Sequence, residues 1–370
     1  MTDERLRVRE DLRALEGYHS PQLDVTVRLN TNESPEPPPA AWSDDLADAL
    51  RSVQWHRYPD RAAHALRAGI GAEHGFDVSQ VFAANGSNEV LQTALLAYGG
   101  PGRSAAVFEP TYALHAHIAR ITGTAVIEGE RSEDLSLDVD VVLDTVRNQR
   151  PAVTFLCSPN NPTGLTDPVE TVEQTLEMAE SVGGLLIVDE AYGQFAASTA
   201  LDLVGEDRSL AVTRTFSKTW SMAAARLGYL IGPSWLVAEL DKVVLPYHLD
   251  AVTQLAGEHA LKYRAEMELR VAALVEERGR LMDALRQLPV EVWPSGANFV
   301  LFRPIDRNGN RVWQGLVDRS VLVRNCASWP RLDNCLRVTV GSRRDDDTFL
   351  AALTEVLAMP ERPGEPGPTR

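Results

Sequence analysis

Short apolar runs alternate with longer amphipathic stretches from about residue 40 to residue 250. The apolar runs are residues 105–109, 152–157, 184–190 and 210–215, and the amphipathic stretches between them include 87–99 and 168–183. Nearly continuous apolar runs are typical of strands buried on both faces, whereas apolar residues at helical spacing predict helices. The alternation therefore predicts an α/β fold with a mainly parallel sheet covered by helices, and it places Ser87 as the N-cap of the helix over 87–99.

The pattern changes after residue 250. Residues 252–288 are rich in Ala, Leu, Glu and Arg and contain no proline, which predicts a long helix or a helix pair that links two domains. Strand-like runs follow within 290–304, 320–326 and 335–342, and the pattern closes with a helix at 345–358. These elements predict a smaller α+β domain.

Length and proline content suggest the domain boundaries. A chain of 370 residues exceeds what one hydrophobic core usually serves. The proline-rich stretch "PEPPPA" at 35–40 is too stiff to lie inside an element. We predict four parts, which are an N-terminal arm joining the small domain (1–41), a large cofactor-binding domain (42–255), a small C-terminal domain (256–359) and a disordered tail (360–370).

Charge and composition exclude several classes of partner. The net charge is −16 and the chain has no strongly basic block, which argues against nucleic acid. No apolar run is long enough to span a membrane and the N-terminus has no apolar leader, so we expect a cytoplasmic protein without a membrane partner. Cys157, Cys326 and Cys335 lack metal-site spacing, and we expect reduced, packed thiols and no metal.

The stretch "TRTFSKTWSMAAARLGYLIG" at 213–232 carries the first candidate chemistry. A half-buried lysine loses proton affinity and can form an imine with an aldehyde, although a single lysine such as Lys218 is more often a surface group. Its neighbours Thr215, Ser217 and Arg226 supply two hydroxyls and a guanidinium, a set that can bind a dianionic phosphate. An imine-forming lysine beside a phosphate site suggests pyridoxal phosphate.

A second candidate phosphate element is "AANGSNEVLQTAL" at 83–95. Gly86 permits a tight turn, and the backbone amides of Gly86, Ser87 and Asn88 would open a helix whose N-terminus favours an anion. Simple helix capping explains the same residues equally well.

Three further side chains fit a flat, charged cofactor. Asp189 follows an apolar strand in "LIVDEAYGQF", where a carboxylate needs a cation or donors, and a protonated pyridine nitrogen would satisfy it. Tyr192 could donate to the phenolic oxygen of the ring, and so could Asn160 or Asn161 in the proline-pinned turn "CSPNNPTG". Tyr112 in "PTYALH" offers a face for stacking. Turn formation and ordinary packing are the alternative explanations.

Together these motifs resemble the fold-type I, class-II pyridoxal-phosphate-dependent aminotransferases. "SPNNPTG", "VDEAY" and "SK" with the later arginine carry the likeness to the superfamily, and "LNTNESP" with "RYPD" resembles its histidinol-phosphate branch. The resemblance runs in order along nearly the whole chain and implies a large domain with a mainly parallel sheet, a smaller α+β domain and an N-terminal arm.

The resemblance also implies roles in the cofactor site. Lys218 would be the imine-forming lysine and then the acid and base that moves the proton. Asp189 would hold the pyridine nitrogen, Asn161 and Tyr192 the phenolic oxygen, and Tyr112 would stack on the ring. The residues that would meet the phosphate are Ser87, Asn88, Thr215, Ser217 and Arg226. Tyr58 in "HRYPD" would reach the phosphate of the neighbouring subunit, which implies a homodimer with shared active sites.

The same resemblance implies a substrate site. Arg337 in "CLRVTVG" would bind the substrate α-carboxylate, and Arg324 with Tyr18 would receive the substrate phosphate. The implied substrate-binding residues are Tyr18, Asn30, Asn161, Arg324 and Arg337. Two stretches depart from the family pattern beside this pocket: "NESP" replaces the usual "NENP", and "NCASWPRLDN" is longer and richer in tryptophan.

The reaction implied is a ping-pong transfer between L-histidinol phosphate with 2-oxoglutarate and imidazole-acetol phosphate with L-glutamate, a step of histidine biosynthesis. An aromatic-amino-acid aminotransferase and a threonine-phosphate decarboxylase remain alternatives, because both resemble this branch. A regulatory module that binds pyridoxal phosphate without catalysis is the alternative from another class. Such modules usually follow a DNA-binding domain, and the residues ahead of "LNTNESP" are too few for one.

Overall fold

A computed structural model of the chain describes residues 8–13, 15, 17 and 22–359. Tyr18 and the predicted disordered tail at 360–370 lie outside the described residues.

A seven-stranded sheet forms the centre of the larger half of the molecule. Its strands in chain order are β2 (Val81–Ala84), β3 (Ser104–Glu109), β4 (Ala125–Glu130), β5 (Val153–Cys157), β6 (Leu185–Asp189), β7 (Leu210–Thr215) and β8 (Gly228–Ile231). The spatial order is β2-β8-β7-β6-β5-β3-β4, and β8 alone runs antiparallel to its neighbours. The four strands predicted from apolar runs all form, within a residue of the predicted bounds.

Helices cover this sheet, as predicted. They are α1 (Ala40–Leu50), α2 (His64–His74), α3 (Gly86–Tyr98), α4 (Leu114–Ile121), α5 (Val139–Gln149), α6 (Val169–Ser181) and α7 (Ser234–Val243). The prediction that Ser87 caps α3 is wrong. The N-cap is Asn85 and the helix already begins at Gly86, because Gly86 adopts a positive φ that allows the chain to turn directly into the helix.

Both faces of the central parallel strands, β5, β6 and β7, are buried. In β6, Leu186 and Val188 pack into one hydrophobic cluster with α2 and α6, whereas Leu185 and Ile187 pack into another with α3 and α4. This two-sided burial explains why the strands read as continuous apolar runs.

A five-stranded sheet lies in the remaining part of the chain. Its strands are β1 (Val27–Leu29), β9 (Val290–Val292), β10 (Phe299–Pro304), β11 (Val321–Asn325) and β12 (Leu336–Thr339), in the spatial order β1-β11-β12-β10-β9. The N-terminal strand β1 pairs parallel to β11, and the other pairs are antiparallel. Arg324 on β11 and Arg337 on β12 are direct cross-strand partners.

A helix pair links the two sheets. Its members are α8 (Ala251–Ala260) and α9 (Arg264–Leu285), and the small sheet is covered by α10 (Gly309–Val317) and α11 (Arg343–Ala358). Short 3₁₀ turns occur at Glu10–Leu12, Val78–Gln80, Gly193–Phe195, Ala200–Leu203, Ala223–Ala225 and Leu261–Tyr263. The helix pair predicted over 252–288 therefore forms, with a 3₁₀ turn between its members.

The described residues contain neither a helix long and apolar enough to cross a membrane nor a cluster of side chains that could hold a metal ion. Cys157, Cys326 and Cys335 are free and buried, which confirms the expected packed thiols.

A buried ion pair fixes the segment that follows β4. Arg131 donates to both carboxylate oxygens of Asp167, at 2.9 and 3.1 Å, and both side chains are buried. Removing one partner of a buried pair leaves an uncompensated charge. We expect Asp167→Asn to lower the free energy of unfolding by about 3–5 kcal/mol, measured by denaturant titration.

The exposed pair Arg147–Asp144, with nitrogen and oxygen 2.5 Å apart, is the control. Asp144→Asn should change the free energy of unfolding by about 0.5 kcal/mol or less. Equal losses in the two variants would contradict the prediction.

Candidate active site

A cavity of about 310 Å³ opens where the parallel strands of the large sheet end. Asp189 is the last residue of β6 and Thr215 the last of β7, so the chain necessarily brings their side chains to one edge. Arg337 enters the cavity from β12 of the small sheet. The cavity is lined by these residues predicted from the sequence: Ser87, Asn88, Tyr112, Asn161, Asp189, Tyr192, Thr215, Ser217, Lys218, Arg226 and Arg337.

Lys218 presents its amine to this cavity. Its Nζ donates a hydrogen bond to the backbone carbonyl of Thr31 at 3.0 Å and lies 5.8 Å from the ring centroid of Tyr192. Burial, followed by the positive charge of Arg337, lowers the pKa of Lys218 to about 7. A large share of the amine is therefore neutral, and nucleophilic, near neutral pH.

The lowered pKa gives a testable pH dependence. In the cofactor-free protein, the rate at which a small amine-directed reagent labels Lys218 should rise up to about pH 8 and then level off, because the amine is already deprotonated. Nα-acetyl-lysine, whose amine has a pKa of about 10.4, should show a rate that still rises at pH 10. Peptide mass spectrometry measures the labelling, and a Lys218 rate that climbs steadily to pH 10 would refute the assignment.

Hydroxyls and a guanidinium gather at the N-terminus of α3. Thr215 donates to Ser217 Oγ at 3.0 Å, and Arg226 donates to the same hydroxyl at 3.4 Å. A Cβ built on Gly86 would lie 2.6 Å from Arg226 Nη2, so a larger residue at this position would displace the end of the guanidinium. The helix N-terminus, the hydroxyls and the guanidinium together form a candidate anion site.

Asp189 is buried and receives donors at both carboxylate oxygens. His115 lies with Nε2 2.9 Å from Oδ2, and Thr213 donates to Oδ1 at 3.3 Å. Since His115 Nδ1 is buried without a hydrogen-bond partner among the described residues, the proton belongs on Nε2, where it donates to the carboxylate. His115 thus orients Asp189 towards the cavity.

Two tyrosine hydroxyls on the cavity walls form hydrogen bonds with asparagine side chains. Tyr192 Oη accepts a hydrogen bond from Asn32 Nδ2 at 2.9 Å, and burial raises the pKa of this phenol to about 12. Its neutral form is thereby favoured. On another wall, Tyr112 donates to Asn88 Oδ1 at 3.1 Å, which fixes the ring beside the start of α3.

Arg337 is buried and held by neighbours on two elements. Its Nη1 donates to Asn161 Oδ1, and its Nη2 donates to the carbonyl of Asn30 at 3.1 Å. Its Nε has no hydrogen-bond partner among the described residues. Arg324 lies beside it but is not part of the cavity wall, so the structure brings this predicted residue near the site without exposing it there.

Tyr58 lies away from the cavity. It is 79% exposed and stacks on Tyr247 with ring centroids 4.5 Å apart. Trp55, in the same connection between α1 and α2, is 72% exposed.

Several residues of the site were not predicted from the sequence. His115 stands three residues after Tyr112 at the start of α4, a helical spacing that could have placed both on one face. Asn32, Glu33 and Trp329 also line the cavity, but they come from the N-terminal segment and the small sheet, and only the fold brings them there.

Pyridoxal phosphate fits this donor set. The anion site lies in the same cavity as a buried carboxylate and a lysine amine, which match the phosphate, the ring nitrogen and the aldehyde of that molecule.

The fold and the site define an aminotransferase. The model of the family "Aminotransferase class I and II" matches residues 24–353, and the chain belongs to this family. Its curated relatives include histidinol-phosphate aminotransferases, one from Frankia casuarinae that is 45% identical over 95% of this chain and 90% of the relative. Another, from Mycolicibacterium smegmatis, is 41% identical over 97% of this chain and 95% of the relative.

Solved structures confirm the predicted fold class. The histidinol-phosphate aminotransferase from Sinorhizobium meliloti, solved in complex with pyridoxal-5'-phosphate, superposes with a TM-score of 0.87. The alignment covers 96% of this chain and 99% of that protein at 20% sequence identity.

Proposed function

We propose that this protein transfers an amino group between L-histidinol phosphate and 2-oxoglutarate, with pyridoxal phosphate as its cofactor, in histidine biosynthesis. One observation carries the proposal: a single cavity holds a lysine amine of lowered pKa, a buried carboxylate, an anion site and a buried arginine. The relatives that share 41–45% of their sequence with this chain are histidinol-phosphate aminotransferases, which supports the substrate.

When bound, pyridoxal phosphate supplies the aldehyde that takes up the amino group and a ring that stabilises negative charge. Lys218 then acts as the acid and base that removes a proton from the substrate Cα and returns it. Asp189, oriented by His115, keeps the ring nitrogen protonated. We assign Tyr192 and Asn161 to the phenolic oxygen of the ring, and Tyr112 to its face.

We assign the phosphate of the cofactor to the anion site at α3. The residues are Gly86, Ser87, Asn88, Thr215, Ser217 and Arg226, of which all but Gly86 line the cavity. The helix N-terminus and the guanidinium both favour a dianion there.

Arg337 is our candidate for the substrate anion. Its unpartnered Nε can donate to an incoming oxygen. Glutamate has a carboxylate on Cα, whereas L-histidinol phosphate has a phosphate-bearing methylene at the same position. The two anions therefore fall on the same side of the cavity, where Arg337, Asn30 and Asn161 meet and Arg324 lies alongside. We also assign Tyr18 to this end on the family resemblance alone.

A half-reaction screen tests the substrate. The cofactor absorbance of purified holoenzyme is followed while L-histidinol phosphate, L-phenylalanine and L-threonine phosphate are added one at a time. We expect the largest kcat/KM for L-histidinol phosphate and full turnover only with 2-oxoglutarate. A preference for phenylalanine would favour the aromatic aminotransferase, and carbon dioxide release without an acceptor would favour the decarboxylase.

We further propose that the protein is a cytoplasmic homodimer. The exposed rings of Tyr58, Tyr247 and Trp55 form a surface that a second copy would cover, and Tyr58 would reach the neighbour's cofactor phosphate. Within each copy, residues 42–255 would bind the cofactor, and 256–359, with the arm 1–41, would close the substrate side.

A complementation experiment tests the shared site. Tyr58→Ala should weaken cofactor retention, because the phosphate loses a donor from the partner. In mixed dimers of Tyr58→Ala and Lys218→Ala chains, the site that keeps Lys218 receives Tyr58 from its partner, so its activity should exceed that of a site in the Tyr58→Ala homodimer. Mixed dimers whose Lys218-bearing sites are no more active than those of the Tyr58→Ala homodimer would rule out the shared site.

A further inference from the structure

An indole covers the two arginines at the substrate end of the cavity. Trp329 lies with its ring 5.4 Å from the guanidinium carbon of Arg324 and 5.9 Å from that of Arg337. It lines the cavity together with Arg337, whereas Arg324 does not. Trp329 belongs to the connection between β11 and β12.

This connection is anchored on both sides. Arg331 donates to the backbone carbonyls of Arg131 and Ser132, the latter at 3.1 Å, so the loop is tied to the segment after β4. Leu332 is fully buried in a cluster with Leu135 and Trp293. Trp329 therefore stands on a fixed loop and forms a wall of the cavity.

The indole of Trp329 offsets the repulsion between two buried arginines. Arg324 and Arg337 are cross-strand partners and both are buried, so their like charges repel at short range. An aromatic face attracts a guanidinium through its π electrons and occupies the flat face of the cation. The Nε of Arg337, which has no hydrogen-bond partner among the described residues, can donate to an anion.

We propose that Trp329 is a specificity-determining residue that holds Arg324 and Arg337 together so that their charges act jointly on the substrate anion. Arg324 lies behind the cavity wall and acts through its charge, and a phosphate dianion gains more from this added positive charge than a singly charged carboxylate does. Trp329 thus favours substrates with a phosphate at this end over those with a carboxylate. The inference rests on the proposed function, because it requires that the substrate anion meets Arg337.

Two variants at Trp329 distinguish the effect of its aromatic face from the effect of its volume. In the holoenzyme, Trp329→Leu should raise the KM for L-histidinol phosphate about tenfold, as expected for the loss of cation–π contacts to two guanidiniums. The KM for glutamate should rise by no more than about threefold and kcat should stay within about twofold. Trp329→Phe, which keeps an aromatic face, should restore most of the preference for the phosphate substrate.

Trp293 provides the matched control. It belongs to the same hydrophobic cluster and its ring lies 5.2 Å from the guanidinium carbon of Arg303, but it does not line the cavity. Trp293→Leu should leave the ratio of the two KM values unchanged. Equal changes in both KM values for Trp329→Leu, or a Phe variant as impaired as the Leu variant, would overturn the inference.

A second experiment measures phosphate binding and does not depend on catalytic turnover. Holoenzyme titrated with inorganic phosphate should show a saturable change in tryptophan fluorescence that is lost in Trp329→Phe and kept in Trp293→Phe. An unchanged response in Trp329→Phe would also overturn the inference. Failure of the proposed function would look different, because the wild-type holoenzyme would then not turn over L-histidinol phosphate at all.

Discussion

Replacing Lys218 by alanine should lower kcat/KM by about 10⁴-fold or more, the upper end of what a positioned acid and base contributes. The amine lies inside the cavity with a pKa lowered to about 7, so at neutral pH it can both accept and return a proton. No other lysine lines the cavity among the described residues. Single-turnover kinetics of the cofactor-loaded variant with glutamate measure the loss.

Two further variants test whether the loss depends on an amine at position 218 that can release its proton. Lys218→Arg keeps the charge but cannot deprotonate near neutral pH, and it should be as inactive as the alanine variant. Lys242 is exposed and paired with Glu239 at 2.6 Å, and Lys242→Ala should keep its activity within about twofold. An active Lys218→Arg enzyme would remove the acid–base role.

Asp189→Asn should lower kcat by about 10²–10³-fold, the size of effect seen when one preorganised electrostatic contact is removed. The amide keeps the shape of the carboxylate but cannot neutralise a protonated ring nitrogen. Since the site is buried, water cannot replace the lost charge. Cofactor absorbance confirms that the variant is loaded, and stopped-flow kinetics measure the chemical step.

Thr213→Val is the companion variant. It removes the 3.3 Å hydrogen bond to Asp189 Oδ1 but leaves the carboxylate and the donor His115 in place. Its kcat should fall by less than about tenfold. If Asp189→Asn were no slower than Thr213→Val, charge at this position would not matter for catalysis.

Four of the parallel strands, β3, β5, β6 and β7, could be predicted closely because their burial on both faces produces consecutive apolar residues. The more exposed β4 has no such run and was not predicted. Strand direction could not be predicted in the same way. β8 is as apolar as its neighbours, yet it runs antiparallel, and nothing in a four-residue run distinguishes the two directions. The N-cap of α3 was misplaced by two residues, because Asn85 and Ser87 are equally good N-cap residues and the positive φ of Gly86 is not visible in the sequence.

The residues that line the cavity could be predicted where they lie close together in the sequence. Ser217, Lys218 and Arg226 share one segment, and their placement follows from the end of β7. Trp329 and Asn32 reach the cavity only through tertiary contacts that leave no local pattern. Tyr58 lies on the surface of a single chain, so its expected role depends on a second copy and remains a proposal.

The Lys218 amine donates its hydrogen bond to a main-chain carbonyl, that of Thr31. Every amino acid carries a main-chain carbonyl, so a substitution at position 31 would keep this hydrogen bond. Its neighbour Asn32 contributes an amide side chain to Tyr192 and adopts a positive φ, which few residues accept. Adjacent positions of one short segment should therefore evolve at different rates, with more substitutions at 31 than at 32.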